Sequence, residues 1–473
     1  MGHPKYYSNP PWPGPTNLTS PLAWHFFGTS NVRYEESFIG GALDDKKNLY
    51  VSGDRRVYKL SPDGVLQWIY NAPFQNSGDA LCIYKGQVFG STNNGFIYAV
   101  DMETGFENWA VQASSHDGGE YSQLAAHQGV LITWGDARCQ HAPFPACACE
   151  KIRALNTTDG AVLWNFTADE VLWDMFPQFP DDETVMFMGA EGGLYRMKLQ
   201  TGELLWRTPL LANSWTDGSQ FVASNGITYV VQVDPSKYRP PPHEQHVGEC
   251  AGYVTAFKTN DGSKLWSIAV PKPPNTSPVV GRLGKDGKLA LIMGIGQQST
   301  DGCSIPGLSM HANVQSFFGK YFADRFFLAV HRLSNWLGDS NGILWGSLER
   351  THDVLAFEAD TGKPLWYWKG PTSFRRCNAG DEDGFLQRLG AGMRPICCPT
   401  PWGQPRIGVD GTVFIANENG DFFTLRDANG DGRIDNSESS VYHTGATFPH
   451  CGSLHAPGML VAINFDGVFV WKS

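Results

Sequence analysis

Residues 97–109 read IYAVDMETGFENW. Apolar and polar residues alternate, a polar turn closes on Gly105, and Trp109 follows four residues later. Alternation at period two marks a strand with one buried face. Asp/Asn/Thr-Gly supplies the positive φ that a tight hairpin turn needs. The tryptophan then falls on the second strand, flat and wide enough to pack against a neighbouring unit. The same figure ends at Trp68 (VYKLSPDGVLQW), Trp164 (IRALNTTDGAVLW), Trp206 (LYRMKLQTGELLW), Trp266 (VTAFKTNDGSKLW) and Trp366 (VLAFEADTGKPLW). Ala99, Ala154, Ala256 and Ala356 each stand six positions before the glycine. Arg196 takes that place in the Trp206 copy, and the first copy is one residue shorter. With 53 glycines and 16 tryptophans in 473 residues, chance gives about two such Gly-Trp spacings, so six with shared upstream residues are a repeat.

Upstream of most copies lies a second hairpin, as in GALDDKKNLYVSGD, KGQVFGSTNNG and VASNGITYVVQV. Four strands at intervals of about 40 residues are what a propeller blade requires. The tryptophan spacing widens before Trp164, Trp266 and Trp366, so blades 3, 5 and 6 carry insertions. A seventh blade reads IGVDGTVFIANENGDFFTLRD, without the tryptophan turn. The chain ends GMLVAINFDGVFVWKS, which lacks an outer strand, and PLAWHFFG at residues 21–28 resembles the missing one. Pairing the first strand into the last blade removes the exposed edges. The expectation is an all-β, eight-bladed propeller over residues 20–473, with seven blades as the alternative and residues 1–19 as an extended Pro-rich lead.

Composition narrows the function. A net charge of −11 argues against a nucleic-acid footprint, which needs basic stripes. It also disfavours a purely electrostatic hold on anionic lipid. No apolar run approaches the roughly 20 residues of a membrane-spanning helix. Ten cysteines favour an oxidising, extracytoplasmic setting, either secreted or in an organelle lumen. The first residues show no apolar signal-peptide core. Four N-x-S/T sequons begin at Asn17, Asn156, Asn165 and Asn275, compatible with secretion without establishing it.

At Ala99 to Trp109 the chain resembles the quinoprotein alcohol-dehydrogenase-like propellers, whose tryptophan-docking motif reads Ala-x-Asp-x-x-Thr-Gly-x-x-x-Trp. The resemblance extends from about residue 20 onward and implies the pyrroloquinoline-quinone-repeat fold. It leaves activity open, because the superfamily holds quinone dehydrogenases, polyvinyl-alcohol-dehydrogenase-like proteins and BamB-like assembly scaffolds. The dehydrogenases of the family hold the quinone on the axis beside calcium, a catalytic Asp and a vicinal disulfide. Here Cys397 and Cys398 are adjacent but precede blade 7, whereas the family pair lies in an early blade. They are read as separate disulfides, buried thiols or a strained vicinal bridge. Glu35, Glu36, Asp174 and Asp217 fall near blade mouths without aligning to the family's base or metal ligands. No C-x-x-C-H occurs for a c-type haem. Pyrroloquinoline quinone is therefore not the expected ligand.

Three insertions carry chemistry-bearing residues. CQHAPFPACACE in blade 3 holds Cys139, Cys147, Cys149 and His141, and reads as a disulfide-stapled loop ahead of a metal cluster. RPPPHEQHVGEC in blade 5 holds His243, His246 and Glu249 in a Pro-rich loop, with no helix to aim both rings at one metal. The blade 6 insertion, residues 298–345, contains an amphipathic pattern over residues 313–337. Val314, Phe318, Tyr321, Phe322, Leu328, Leu333 and Trp336 fall on one arc at helical spacing. Such a helix packs on its own propeller, docks a partner through Phe318 and Phe322, or lies on a membrane surface.

The best-supported site is the run from Asp427 to Glu438. Asp427, Asn429, Asp431, the Arg433 carbonyl, Asp435 and Glu438 stand at EF-hand loop positions 1, 3, 5, 7, 9 and 12, with Gly432 at the sharp turn. Ile434 supplies the usual apolar contact, and an Asx-rich turn without metal is the alternative. The function expected is a non-enzymatic, calcium-stabilised scaffold that engages protein partners through inserted loops. A quinone-dependent dehydrogenase and a secreted carbohydrate- or polymer-binding module are the alternatives.

Overall fold

Short strands joined by glycine turns pair most readily with their sequence neighbours. A computed structural model of the protein has eight sheets built in this way. It describes residues 15, 18–33, 36–114, 124–135, 137–138, 148–172, 176–210, 214, 216, 218–233, 252–284, 287–296, 351–372, 402–449 and 452–473. Strand β1 (Trp24–Phe26) is followed by blade 1, formed by β2 (Gly40–Leu43), β3 (Leu49–Ser52), β4 (Arg56–Leu60) and β5 (Leu66–Asn71). Blade 2 is β6 (Asn76–Tyr84), β7 (Gln87–Thr92), β8 (Phe96–Asp101) and β9 (Glu107–Gln112). Blade 3 is β10 (Ala125–His127), β11 (Val130–Trp134), β12 (Ala137–Arg138), β13 (Ala148–Asn156) and β14 (Val162–Leu172). Blade 4 is β15 (Thr184–Met188), β16 (Leu194–Lys198) and β17 (Leu204–Arg207), with Gln178 bridged to Met186 beside them.

Blade 5 is β18 (Phe221–Val222), β19 (Ile227–Val233), β20 (Gly252–Lys258) and β21 (Lys264–Val270). Blade 6 is β22 (Val279–Arg282), β23 (Leu289–Gly296), β24 (His352–Glu358) and β25 (Pro364–Lys369). Blade 7 is β26 (Arg406–Ile407), β27 (Val413–Ala416), β28 (Asp421–Leu425) and β29 (Ser439–His443). Blade 8 is β30 (Ser453–Ala456), β31 (Met459–Asn464) and β32 (Gly467–Lys472), completed by β1. The register Trp24↔Val470, His25↔Phe469 and Phe26↔Val468 closes the ring as the sequence predicts.

The repeat has a simple steric cause. Ala99, Ala154, Ala256 and Ala356 lie directly across the hairpin from Trp109, Trp164, Trp266 and Trp366, and a register shift follows each pair. Arg196 and Lys59 occupy that place opposite Trp206 and Trp68. All six tryptophans sit on outermost strands. From there five of the rings, all but that of Trp366, cover the turn glycine of the following blade. A Cβ on Gly105, Gly160, Gly202, Gly262 or Gly362 would meet Trp68, Trp109, Trp164, Trp206 or Trp266 respectively, most of them within 3 Å, and each glycine has φ of +70 to +74°. The indole Nε1 also donates to that turn: Trp68 to the Met102 carbonyl (3.1 Å), Trp109 to Thr157 (3.2 Å), Trp164 to Leu199 (2.9 Å), Trp206 to Asn260 (2.9 Å) and Trp266 to Asp360 (3.1 Å). Trp24 does the same between blades 8 and 1, stacking over Gly64 and donating to the Pro62 carbonyl at 2.8 Å. Apolar side chains of adjoining blades fill the space between sheets; Phe38, Val51 and Tyr58 meet Val461 and Val470 at the closure.

Antiparallel order puts the connections between first and second strands, and between third and fourth, on one face of the ring. The remaining connections lie on the other. Tight turns dominate the first face. The strands that bracket residues 136–147, 234–251 and 297–351 are the second and third of their blades, and those that bracket residues 373–401 belong to neighbouring blades, so these strand ends all lie on the second face. At the base of the blade 3 insertion, β12 pairs with β13 (Ala137↔Cys149, Arg138↔Ala148). No helix occurs among the described residues. The expected helix at 313–337 with Phe318 and Phe322, the rest of insertion 298–345, and Cys397 and Cys398 lie outside them.

Candidate functional site

Residues 427–438 join β28 to β29, the place taken by the tryptophan turn in six other blades. Their oxygens are folded back onto the loop's own amides. Asp427 accepts the Gly430 and Gly432 N–H groups at 2.8 and 3.2 Å. Glu438 spans the ends of the loop, accepting from Ala428 and Asn429 through Oε1 (2.8 and 3.0 Å) and from Asp435 through Oε2 (3.3 Å). Asn429 Oδ1 accepts from Asp431, and Asp431 Oδ1 from Arg433, both at 2.8 Å. Asp435 accepts from the Ser437 amide and hydroxyl, which hold its carboxyl below the usual range. Gly430 and Gly432 take φ of +74° and +82°, where a side chain would be strained.

The loop is tied to blade 6. Gly432 O accepts the Tyr367 N–H at 3.2 Å, Ile434 donates to the Tyr367 carbonyl at 3.4 Å, and Arg433 bridges Tyr367 in parallel. Ile434 is buried in the core shared by blades 5, 6 and 7. The donor set suits calcium in kind and order: hard oxygens at the five side-chain positions, a carbonyl at the seventh and a carboxylate able to bind through both oxygens at the twelfth. The fit stops short of a converged shell, since no three described His, Cys, Asp or Glu side chains meet at one point as a metal-binding group.

The other expected site residues divide clearly. Glu36 lies buried against blade 1, where its Oε1 accepts the Asp54 N–H at 2.7 Å and its Oε2 accepts the Tyr58 hydroxyl. It braces the turn between β3 and β4. Burial raises its carboxyl above the ordinary range. Glu35, His141, Asp174, Asp217, His243, His246 and Glu249 lie outside the described residues, as do Cys139 and Cys147; Cys149 is described in backbone only.

A second buried acid has no sequence signal at all. Glu170 on β14 is 5% exposed, and its Oε2 accepts the Glu191 N–H at 2.8 Å. Gly189 and Gly193 make room for it, since a Cβ at either would come within 2.1 Å of the carboxyl group. Burial, only partly opposed by the Glu191 amide and the Tyr195 hydroxyl, pushes its carboxyl up to about 7 from 4.5. The folded state therefore holds this proton more tightly than the unfolded chain. Its contribution is fully present below pH 4.5 and is lost as pH rises through 7. Chemical denaturation at pH 5 and pH 8 should show about 2 kcal/mol of this loss. Glu170→Gln should flatten the slope, and equal slopes for both proteins would contradict this account.

The eight blades and their tryptophan lock define an eight-bladed β-propeller. Within it, residues 148–292 match a family model described as outer membrane protein assembly factor BamB. Among solved structures, BamB from Moraxella catarrhalis is similar at 16% identity and a TM-score of 0.53, over 93% of this chain and 98% of that one. The computationally designed Ika8 protein is similar at 11% identity and a TM-score of 0.56, over 96% and 100%. Quinohemoprotein alcohol dehydrogenase from Comamonas testosteroni is similar at 10% identity and a TM-score of 0.55, over 96% of this chain and 76% of that one. These likenesses establish the fold. No curated protein matches.

Proposed function

We propose that this chain is an extracytoplasmic binding scaffold that presents its inserted segments to a protein partner and is stabilised by calcium at residues 427–438. One observation carries the reading: the described strands that bracket the four long connections all end on the same face of the ring. A ring with tight turns on one face and the attachment points of long segments on the other is a platform. The family match to an assembly factor over residues 148–292 supports the same role. Ten cysteines support a setting where disulfides persist.

Within this reading the blade 6 insertion is the contact segment, with Phe318 and Phe322 as its aromatic anchors. Introducing Phe318→Asp and Phe322→Asp together should abolish partner capture by the purified protein and leave the melting temperature unchanged. Intact capture, or loss of the folded state, would place the contact elsewhere. The enzymatic alternative is tested directly. Purified protein given pyrroloquinoline quinone and calcium should not reduce a redox dye with simple alcohols or sugar aldehydes. Turnover abolished by one carboxylate substitution would replace the scaffold reading with a dehydrogenase.

A further inference from the structure

We propose that Asn165 on β14 carries an N-linked glycan, which covers the longest outer edge of the propeller. The proposal rests on the extracytoplasmic reading above.

Outer strands present unpaired backbone groups, and a long apolar edge invites pairing with another chain. The other seven outer strands have three to seven residues, whereas β14 has 11. It pairs with β13 alone. It also begins with two apolar residues facing water, Val162 at 51% exposure and Leu163 at 44%. A bulky hydrophilic group on this edge would remove the hazard.

The sequon Asn165-Phe166-Thr167 is placed to supply it. Burial alternates along β14: Trp164, Ala168 and Glu170 point inward, while Leu163, Asn165 and Thr167 face outward on one side. Asn165 Oδ1 accepts the Arg153 Nε–H at 2.8 Å, and among the described residues the amide nitrogen that would carry the sugar makes no hydrogen bond. The other described sequons are occupied by the fold. Asn275 is 3% exposed, Thr276 donates to the Trp402 carbonyl, and Ser277 Oγ accepts the Ser219 N–H. Asn156 caps the Thr158 amide at 2.8 Å in the turn that receives Trp109. Asn17 lies outside the described residues.

The chemistry needs a lumenal oligosaccharyl transferase and a lipid-linked oligosaccharide pyrophosphate. The asparagine Nδ2 forms a bond to the sugar's anomeric carbon, that carbon's bond to the pyrophosphate oxygen breaks, and the amide proton passes to a base.

Protein from its source cells should be treated with peptide N-glycosidase in oxygen-18 water, and its peptides and thiols counted by mass spectrometry. An oxygen-18-labelled Asp at position 165 is the expected result. Label at position 17 or 156 with none at 165 overturns the site and leaves the extracytoplasmic reading standing. No label with oxidised cysteines does the same. No label with all ten thiols free overturns both. Thr167→Ala, which keeps Asn165 but breaks the sequon, should raise the aggregated fraction several-fold, and Thr167→Ser should not. Equal solubility of all three would overturn the covering role.

Discussion

Replacing Trp24 and Phe26 with alanine should remove about 5 kcal/mol of stability, the largest loss expected from any two substitutions outside the centre of a blade. Phe26 is buried among Phe38, Tyr58 and Val468, and its ring meets that of Tyr58 edge-on at 5.3 Å. Trp24 locks Gly64 of blade 1 from a strand that pairs with the C-terminal β32, so it joins blade 8 to blade 1. Truncating large aromatics typically costs 3–5 kcal/mol each, and neighbouring losses do not simply add. The sum is comparable to the whole stability of an ordinary domain. Denaturant unfolding should show the double variant with a lowered midpoint and a broadened transition, as blades 8 and 1 loosen before the rest. His25→Ala, an exposed position on the same strand, should change stability by less than about 0.5 kcal/mol. An unchanged midpoint in the double variant would mean that the first strand contributes nothing to closure.

Millimolar calcium should raise the melting temperature. A ligand that binds only the folded state at a hundred times its dissociation constant adds about 2.7 kcal/mol. The effect should reach beyond the loop, because Gly432 and Ile434 bond to Tyr367 on blade 6 and Ile434 enters the core of three blades. Asp427→Ala and Glu438→Ala should each abolish the shift, as these two carboxylates hold the loop's first and last turns together. Magnesium should be a poor substitute, since it demands near-ideal octahedral geometry. A calorimetric titration with no heat of calcium binding at millimolar concentration would remove the site, leaving an Asx-rich turn.

The lock between blades was legible because it is written twice, as tryptophan and as the small residue opposite it. Ala99 and Trp109 are ten positions apart in sequence and face each other in the sheet. The closing strand was legible for a related reason: Trp24 repeats the outer-strand chemistry without its hairpin. The loop at 427–438 stood out because its oxygens are ordered along a single segment. Glu36 and Glu170 were not legible in the same sense. Their surroundings come from turns distant in sequence, Asp54 of blade 1 for one and Glu191 of the neighbouring blade for the other. No local pattern announces a carboxyl that will lose its water. The common face of the strand ends that bracket the insertions was half legible, since insertions in blades 3, 5 and 6 were counted but the face follows from strand order.

The pairing of Trp24 with Val470 has a consequence for how the molecule is made. The ribosome completes β1 almost a whole chain length before its partner strand exists. At 5–20 residues per second the gap is roughly 20 to 90 seconds. Throughout that time the nascent chain holds a row of docked blades with an open seam at each end. The strand that carries the indole covering Gly64 has no partner, because the last blade has yet to be translated. Blades can stack in order as they emerge, but the ring is sealed only after release. A stalled or truncated product would therefore be a curved stack of sheets with two sticky ends, well suited to joining another copy of itself. Quality control of this protein should act on the unsealed arc.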